Sequence, residues 1–170
     1  VRESDLKELD LGCWRAAGIG AEMIRPETLR NFAEKFASAG FDESAFLPCY
    51  GLAESTLAVT FSKIGKGCKS IQVDSKTLID KRMAVRLQAD GRKQNEFVNC
   101  GRPLPGHTVK IVDEDGQQLS EMMVGSVLVH GDSVMKGYYN NPEETNKALK
   151  AGNWLDTGDI GFLFEGDLFI

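Results

Sequence analysis

The chain has 170 residues, of which 42% are hydrophobic and 26% charged, the balance of a soluble globular domain or part of a larger one. Its net charge of −5 argues against a general nucleic-acid binder, which presents a basic face, yet leaves room for one locally held phosphorylated ligand. Cys13, Cys49, Cys68 and Cys100 form no CxxC pair and no apolar run approaches a membrane span of about 20 residues, so zinc, a disulfide framework and a spanning helix are not indicated, and reduced thiols in a cytoplasmic protein are the simple reading.

Residues 1 to 11 are charged and predict a short helix, with no initiator methionine and no signal-like stretch. Trp14 to Gly20 is apolar and predicts a strand. Pro26-Glu27-Thr28-Leu29 opens a helix, because proline suits the first turn, and Leu29, Phe32, Ala33 and Phe36 follow at helical spacing until Gly40. Phe46-Leu47-Pro48-Cys49 predicts a buried strand running into Tyr50-Gly51-Leu52-Ala53-Glu54-Ser55-Thr56. That turn joins a ring able to lie against a base, a glycine with bare backbone, and a carboxylate suited to a metal. Strand, helix and strand make an α/β unit, in which ligands sit at the carboxyl ends of strands. Ser55 to Thr60 reads as a possible helical continuation, closed by Gly65 and Gly67.

Residues 68 to 100 differ from their surroundings. Ile71-Gln72-Val73-Asp74 alternates as a strand, Lys76 to Leu87 is mixed, and Asp90-Gly91-Arg92-Lys93 is a polar turn. The segment reads as a surface insertion. From Asn99 the pattern turns to β: Val109 to Val112, the turn Asp113-Glu114-Asp115-Gly116, Val124 to His130, and a hairpin across Phe162 to Ile170. Pro142-Glu143-Glu144-Thr145 opens a helix ending near Lys150, capped by Asn140 or Asn141. His107 and His130 lie in strand patterns and read as structural. Gly137-Tyr138-Tyr139 reads as packing and turn geometry rather than chemistry. The polar start and the finish inside a strand pattern predict a piece of a longer protein.

Four motifs occur in order: Gly20-Ala21-Glu22, the Tyr50 turn, Gly125-Ser126-Val127-Leu128-Val129-His130-Gly131 running to Gly137-Tyr138-Tyr139, and Trp154-Leu155-Asp156-Thr157-Gly158-Asp159. Together they resemble the acyl-adenylate-forming enzymes. Ala53, where the general pattern has threonine, and the long segment before Gly101-Arg102-Pro103-Leu104-Pro105-Gly106 resemble the fatty acyl-AMP ligases in particular.

The resemblance implies an α/β fold, part of the large N-terminal domain of these enzymes, in which an α/β subdomain portion is followed by a distorted β-barrel subdomain. It divides the chain into residues 1–67 of the nucleotide-binding subdomain, a family-type insertion at 68–99, and the barrel at 100–170. It implies that a fatty acid attacks ATP to give acyl-adenylate and pyrophosphate, with Mg2+ as cofactor, and that the acyl group passes to the phosphopantetheine arm of an acyl carrier protein. Glu54 is the implied catalytic and magnesium-linked carboxylate. Gly20, Ala21, Glu22, Tyr50, Gly51, Leu52, Ala53 and Asp159 are the implied nucleotide-binding residues, with Tyr50 against adenine and Asp159 on the ribose hydroxyls. Gly18 and Ile19 would border the acyl channel. Met23-Ile24 stands where the family commonly continues through a proline. Ala53 lacks the hydroxyl that threonine offers a phosphate oxygen; Ser55 or Thr56 replaces it, or both serve a helix start. The insertion would restrain a mobile C-terminal domain, anchored by Ile71, Val73, Leu78, Ile79, Met83, Val85 and Leu87, or else is a loose surface loop. A phosphate loop upstream and a C-terminal catalytic lysine are not in this sequence, so the piece alone is expected to be inactive. The rival readings are a fatty acyl-CoA synthetase and a non-catalytic nucleotide-binding module.

Overall fold

A computed structural model describes residues 2–87 and 93–170. The turn expected at Asp90-Gly91-Arg92 lies outside the described residues. The first part contains α1 (Glu3–Leu6), β1 (Ala17–Ile19), α2 (Pro26–Phe36), β2 (Phe46–Tyr50) and β3 (Thr60–Phe61). Pro26 stands in the first turn of α2 with Glu27 beside it, and Lys35 stands in the last turn, each matching the helix dipole. A 3-10 turn over Ala37–Ala39 follows and closes on Gly40 at φ +84°, a left-handed conformation that glycine adopts without a side-chain clash. The apolar stripe Leu29, Phe32, Ala33 and Phe36 packs on Ala17, Phe41, Ala45 and Phe46. β1 and β2 run parallel, pairing Ala17 with Phe46.

The helix expected from Ser55 to Thr60 is not formed. One 3-10 turn covers Ala53–Ser55, and Thr56 then takes φ +67° and ψ −56° while the Leu57 amide donates to the Ser55 carbonyl at 2.8 Å. This is a γ-turn of the rare, strained hand, and it turns the chain back towards β3. β3 pairs antiparallel with β2 and with β6 (Arg102–Pro103), giving a sheet of order β1-β2-β3-β6.

Between β3 and β6 lie β4 (Ser70–Asp74), α3 (Ser75–Lys81) and β5 (Gln94–Val98). β4 and β5 form an antiparallel pair, and the Asp74 carboxylate caps α3 by accepting from the Thr77 amide at 2.7 Å. The described residues here are no loose loop. Val73 and Ala84 are buried against Phe162 and Phe169, with Ile71, Leu78 and Phe97 around them. Ile79, 76% exposed, takes no part in that anchoring, and Met83 and Val85 leave about a third of their surface exposed.

The remaining strands are β7 (His107–Val112), β8 (Gly125–Gly131), β9 (Leu149–Lys150), β10 (Trp154–Phe164) and β11 (Asp167–Phe169), with α4 (Pro142–Ala148) between β8 and β9. They form an antiparallel half-barrel of order β11-β10-β8-β7, with β9 on the flank of β10. The side chain that caps α4 is that of Asn141, which accepts from the Glu144 amide at 3.2 Å. α4 stops at Ala148, before the expected Lys150, because Leu149 and Lys150 pair with β10. Val109, Ile111, Val127, Val129, Leu155 and Leu168 form the half-barrel core, and Tyr50 and Val59 from the first part enter the same cluster. The two parts therefore share a core, and Tyr50 sits at the joint.

Candidate nucleotide site

Tyr50 ends β2, and the parallel pairing with β1 brings the end of β1 and its following loop alongside. Gly20 marks that closeness: a Cβ there would lie 2.9 Å from both the Cys49 carbonyl oxygen and its Sγ. Ala21 follows at φ +70°, a left-handed conformation costly for a residue with a side chain. Gly51 is required by the turn's own packing, since a Cβ there would overlap the Leu57 carbonyl of the returning chain. Its glycine is thus accounted for by the fold before any ligand is considered.

Asp159 comes from a bulge in β10. Asp156 pairs with Leu128 and Ile160 with Ser126, so Thr157, Gly158 and Asp159 stand opposite the single residue Val127. The Thr157 hydroxyl donates to the Val127 carbonyl at 3.0 Å and accepts from the Asp159 amide at 3.2 Å, holding the bulge with its side chain. Gly158 provides the φ of +77°.

These segments meet around a cavity of about 610 Å³ whose walls include Ala21, Glu22, Tyr50, Gly51 and Asp159. The Tyr50 hydroxyl donates to Asp159 Oδ2 at 2.6 Å. Tyr50 is only 9% exposed. Its burial, and then the Asp159 carboxylate, raise its pKa, so the phenol stays protonated and remains a donor. Cys49 and Cys100 also line the cavity. Burial raises both thiols, Cys100 to about 12, which keeps them as neutral wall rather than nucleophiles.

Gly20, Leu52, Ala53 and Glu54 do not line this cavity. Leu52 packs on the shared core. Glu54 is held away from the cavity lining: its Oε1 accepts from the Tyr138 hydroxyl at 2.7 Å and its carbonyl accepts from the Met135 amide at 2.7 Å. Tyr138 therefore does more than pack: it orients the candidate metal-linked carboxylate across 84 residues of sequence. No local signal in Gly137-Tyr138-Tyr139 marks that role. Ser55 is 1% exposed, so its hydroxyl is hidden from any phosphate. The exposed Thr56 hydroxyl donates to the Ser133 carbonyl at 3.4 Å. Gly18 faces open space. His107 meets the Ser133 hydroxyl at 2.6 Å and His130 lies beside Trp154, and neither lines the cavity.

No group of three or more His, Cys, Asp or Glu able to hold a metal occurs among the described residues. Magnesium does not need one. It commonly binds through one or two carboxylates together with substrate phosphates and water, and Glu54, half-buried with one oxygen taken by Tyr138, fits that arrangement. Sequence reading also missed Arg30, Glu96 and Ile170 as parts of the cavity wall.

The family model described as AMP-binding enzyme matches residues 1–139. The chain belongs to the AMP-binding enzyme family. Its fold is that of the N-terminal domain of adenylate-forming enzymes: a solved structure from work on fatty acyl-adenylate ligases of E. coli and L. pneumophila superposes with a TM-score of 0.94 at 46% identity, over 99% of this chain and 30% of the other. A putative acyl-CoA synthetase of Caulobacter vibrioides is 42% identical across 100% of this chain and 30% of its own length. A medium-chain-fatty-acid–[acyl-carrier-protein] ligase, JamA, of Moorena producens is 38% identical over 95% of this chain and 29% of its own. The AMP-binding chain thus spans about 30% of the length of the relatives it matches. Among its described residues no helix is long and apolar enough to cross a membrane.

Proposed function

We propose that this chain forms the nucleotide-side wall of an enzyme that activates a fatty acid as its acyl-adenylate and hands the acyl group to the phosphopantetheine arm of an acyl carrier protein. A carboxylate oxygen of the acid attacks the α-phosphorus of ATP, the bond from that phosphorus to its β-bridging oxygen breaks, and pyrophosphate leaves. The observation that carries this reading is the gathering of Ala21, Glu22, Tyr50, Gly51 and Asp159, from three separate segments, around one cavity. A purine would lie between the Ala21–Glu22 backbone on one side and Tyr50 on the other. Asp159 offers paired acceptor oxygens to the ribose diol. Tyr50 already donates to one of them, and so fixes the carboxylate before the nucleotide arrives. Preorganised groups of this kind lose little on binding. Glu54 would hold magnesium, which supplies neutralisation of phosphate charge when bound.

The 42% identical Caulobacter relative, named as a putative acyl-CoA synthetase, favours a second reading in which CoA is the acceptor. Incubating the full-length protein with ATP and a series of fatty acids, with and without CoA, separates the two. Acyl-adenylate accumulating whether or not CoA is present supports the first. Abundant acyl-CoA establishes the second, and absence of any adenylate removes both.

A further inference from the structure

The cavity has two facing walls from different parts of the chain. One is the loop after β1 and the start of α2, including Ala21, Pro26 and Arg30. The other is β5, including Glu96, Phe97 and Val98. They are joined by a fork: Arg30 Nη1 and Nη2 donate to Glu96 Oε1 and Oε2, each at 3.3 Å. The Ser70 hydroxyl on β4 also donates to Glu96, at 2.5 Å. Glu96 is half-buried and Arg30 exposed. Burial would raise the Glu96 carboxyl, but Arg30 and Ser70 outweigh it and lower it, while Glu96 raises Arg30 in turn. Both groups are therefore charged at neutral pH. The β4–β5 pair is packed on the half-barrel through Val73 and Phe97, and the fork ties it to the α/β unit.

We infer that Arg30 and Glu96 form a latch that sets the separation of the two cavity walls, making them positioning residues for the nucleotide. The inference rests on the reading that the cavity holds the nucleotide, and gives the insertion a part in nucleotide affinity. A bidentate guanidinium–carboxylate pair defines orientation as well as distance, which a lone ammonium does not. Reversing either charge places like charges across the cavity mouth and pushes the walls apart. Reversing both restores attraction with the walls exchanged in sign.

The test uses the full-length protein, with binding of unlabelled ATP followed by titration calorimetry and acyl-adenylate formation as a second readout. Arg30→Glu and Glu96→Arg are each expected to weaken ATP binding about fivefold, the upper end for a well-formed surface pair. The KM for fatty acid should stay unchanged, and the double reversal should return ATP affinity to within about twofold of the unsubstituted protein. Glu96→Gln, which keeps the shape, should weaken ATP binding about two- to threefold and serves where a reversal prevents folding. Single variants that bind ATP as tightly as the unsubstituted protein, or a double variant no better than the singles, would overturn the latch. An unsubstituted protein that binds ATP but makes no acyl-adenylate would sink the activity while leaving the latch measurable by binding. Failure of the unsubstituted protein to bind ATP would overturn both.

Discussion

In the α/β unit, the site loops hold their shape through backbone conformations that side chains disfavour: Ala21 at φ +70°, and Thr56 at φ +67° inside a γ-turn. On the half-barrel, Asp159 is placed by an otherwise regular antiparallel ladder with one bulge, stitched by the Thr157 hydroxyl. Each strained non-glycine residue costs on the order of 1–3 kcal/mol and persists because its surroundings over-determine it. The bulge instead interrupts the ladder and occupies its amides with nearby side chains, Gly158 N–H on Asp156 Oδ1 and Asp159 N–H on Thr157 Oγ1. The contrast teaches that the two candidate carboxylates are held differently. Asp159 is fixed within the cavity by Tyr50, whereas Glu54 stands on a tight, strained turn outside it and depends on Tyr138.

The largest expected effect is from Asp159→Ala in the full-length protein. Losing two charge-assisted hydrogen bonds to the ribose should reduce kcat/KM for ATP about 100-fold or more. Added magnesium should not restore it. Glu54→Ala should reduce adenylation about tenfold, and here excess magnesium should recover part of the loss. Equal response of the two variants to magnesium would erase the distinction drawn between them.

Gly51→Ala should lower stability by about 2 kcal/mol, the overpacking range, because its Cβ meets the Leu57 carbonyl. Gly158→Ala meets nothing within 4 Å and should cost only about 1 kcal/mol for its left-handed backbone. Thermal melts of both variants check the order, and a larger loss at Gly158 would contradict it. Smaller still, Tyr138→Phe removes one neutral donor from Glu54 and should raise the magnesium needed for half-maximal adenylation about two- to threefold. An unchanged magnesium titration would show that Tyr138 does not orient Glu54.

The Cys100 thiol is protonated at neutral pH. Its pKa in the folded chain, about 12 against an ordinary 9.0, means the unfolded chain loses that proton first as pH rises. Its stabilising contribution is present below about pH 9 and is lost between about pH 9 and 12. Cys100→Ala should flatten the alkaline decline in melting temperature over that window, and an unaltered decline would assign it elsewhere.

What could be read from the sequence follows the same contrast. Val109 to Val112 alternates in hydrophobicity and Val124 to His130 carries the apolar run Val127-Leu128-Val129, and β7 and β8 appear there because these residues pack into a core. Pro26 and Gly40 bracketed α2 because their backbone preferences act locally. At Thr56 the sequence pattern suits a helix, since no local residue preference favours a γ-turn at threonine. The fork between Arg30 and Glu96 and the bond between Tyr138 and Glu54 join exposed or half-buried side chains far apart in sequence, where hydrophobic period carries no information. The motifs around Tyr50 and Asp159 were visible as motifs. Their meeting at 2.6 Å, and the bulge that permits it, depend on tertiary pairing.

The cavity walled by Tyr50 and Asp159 is proposed to receive the nucleotide. A crystal structure of the full-length protein with a non-hydrolysable acyl-adenylate analogue tests it most directly. The purine is expected between the Ala21–Glu22 backbone and Tyr50, with both ribose hydroxyls on Asp159. Purine density outside this cavity, with Asp159 free of the ribose, would contradict it.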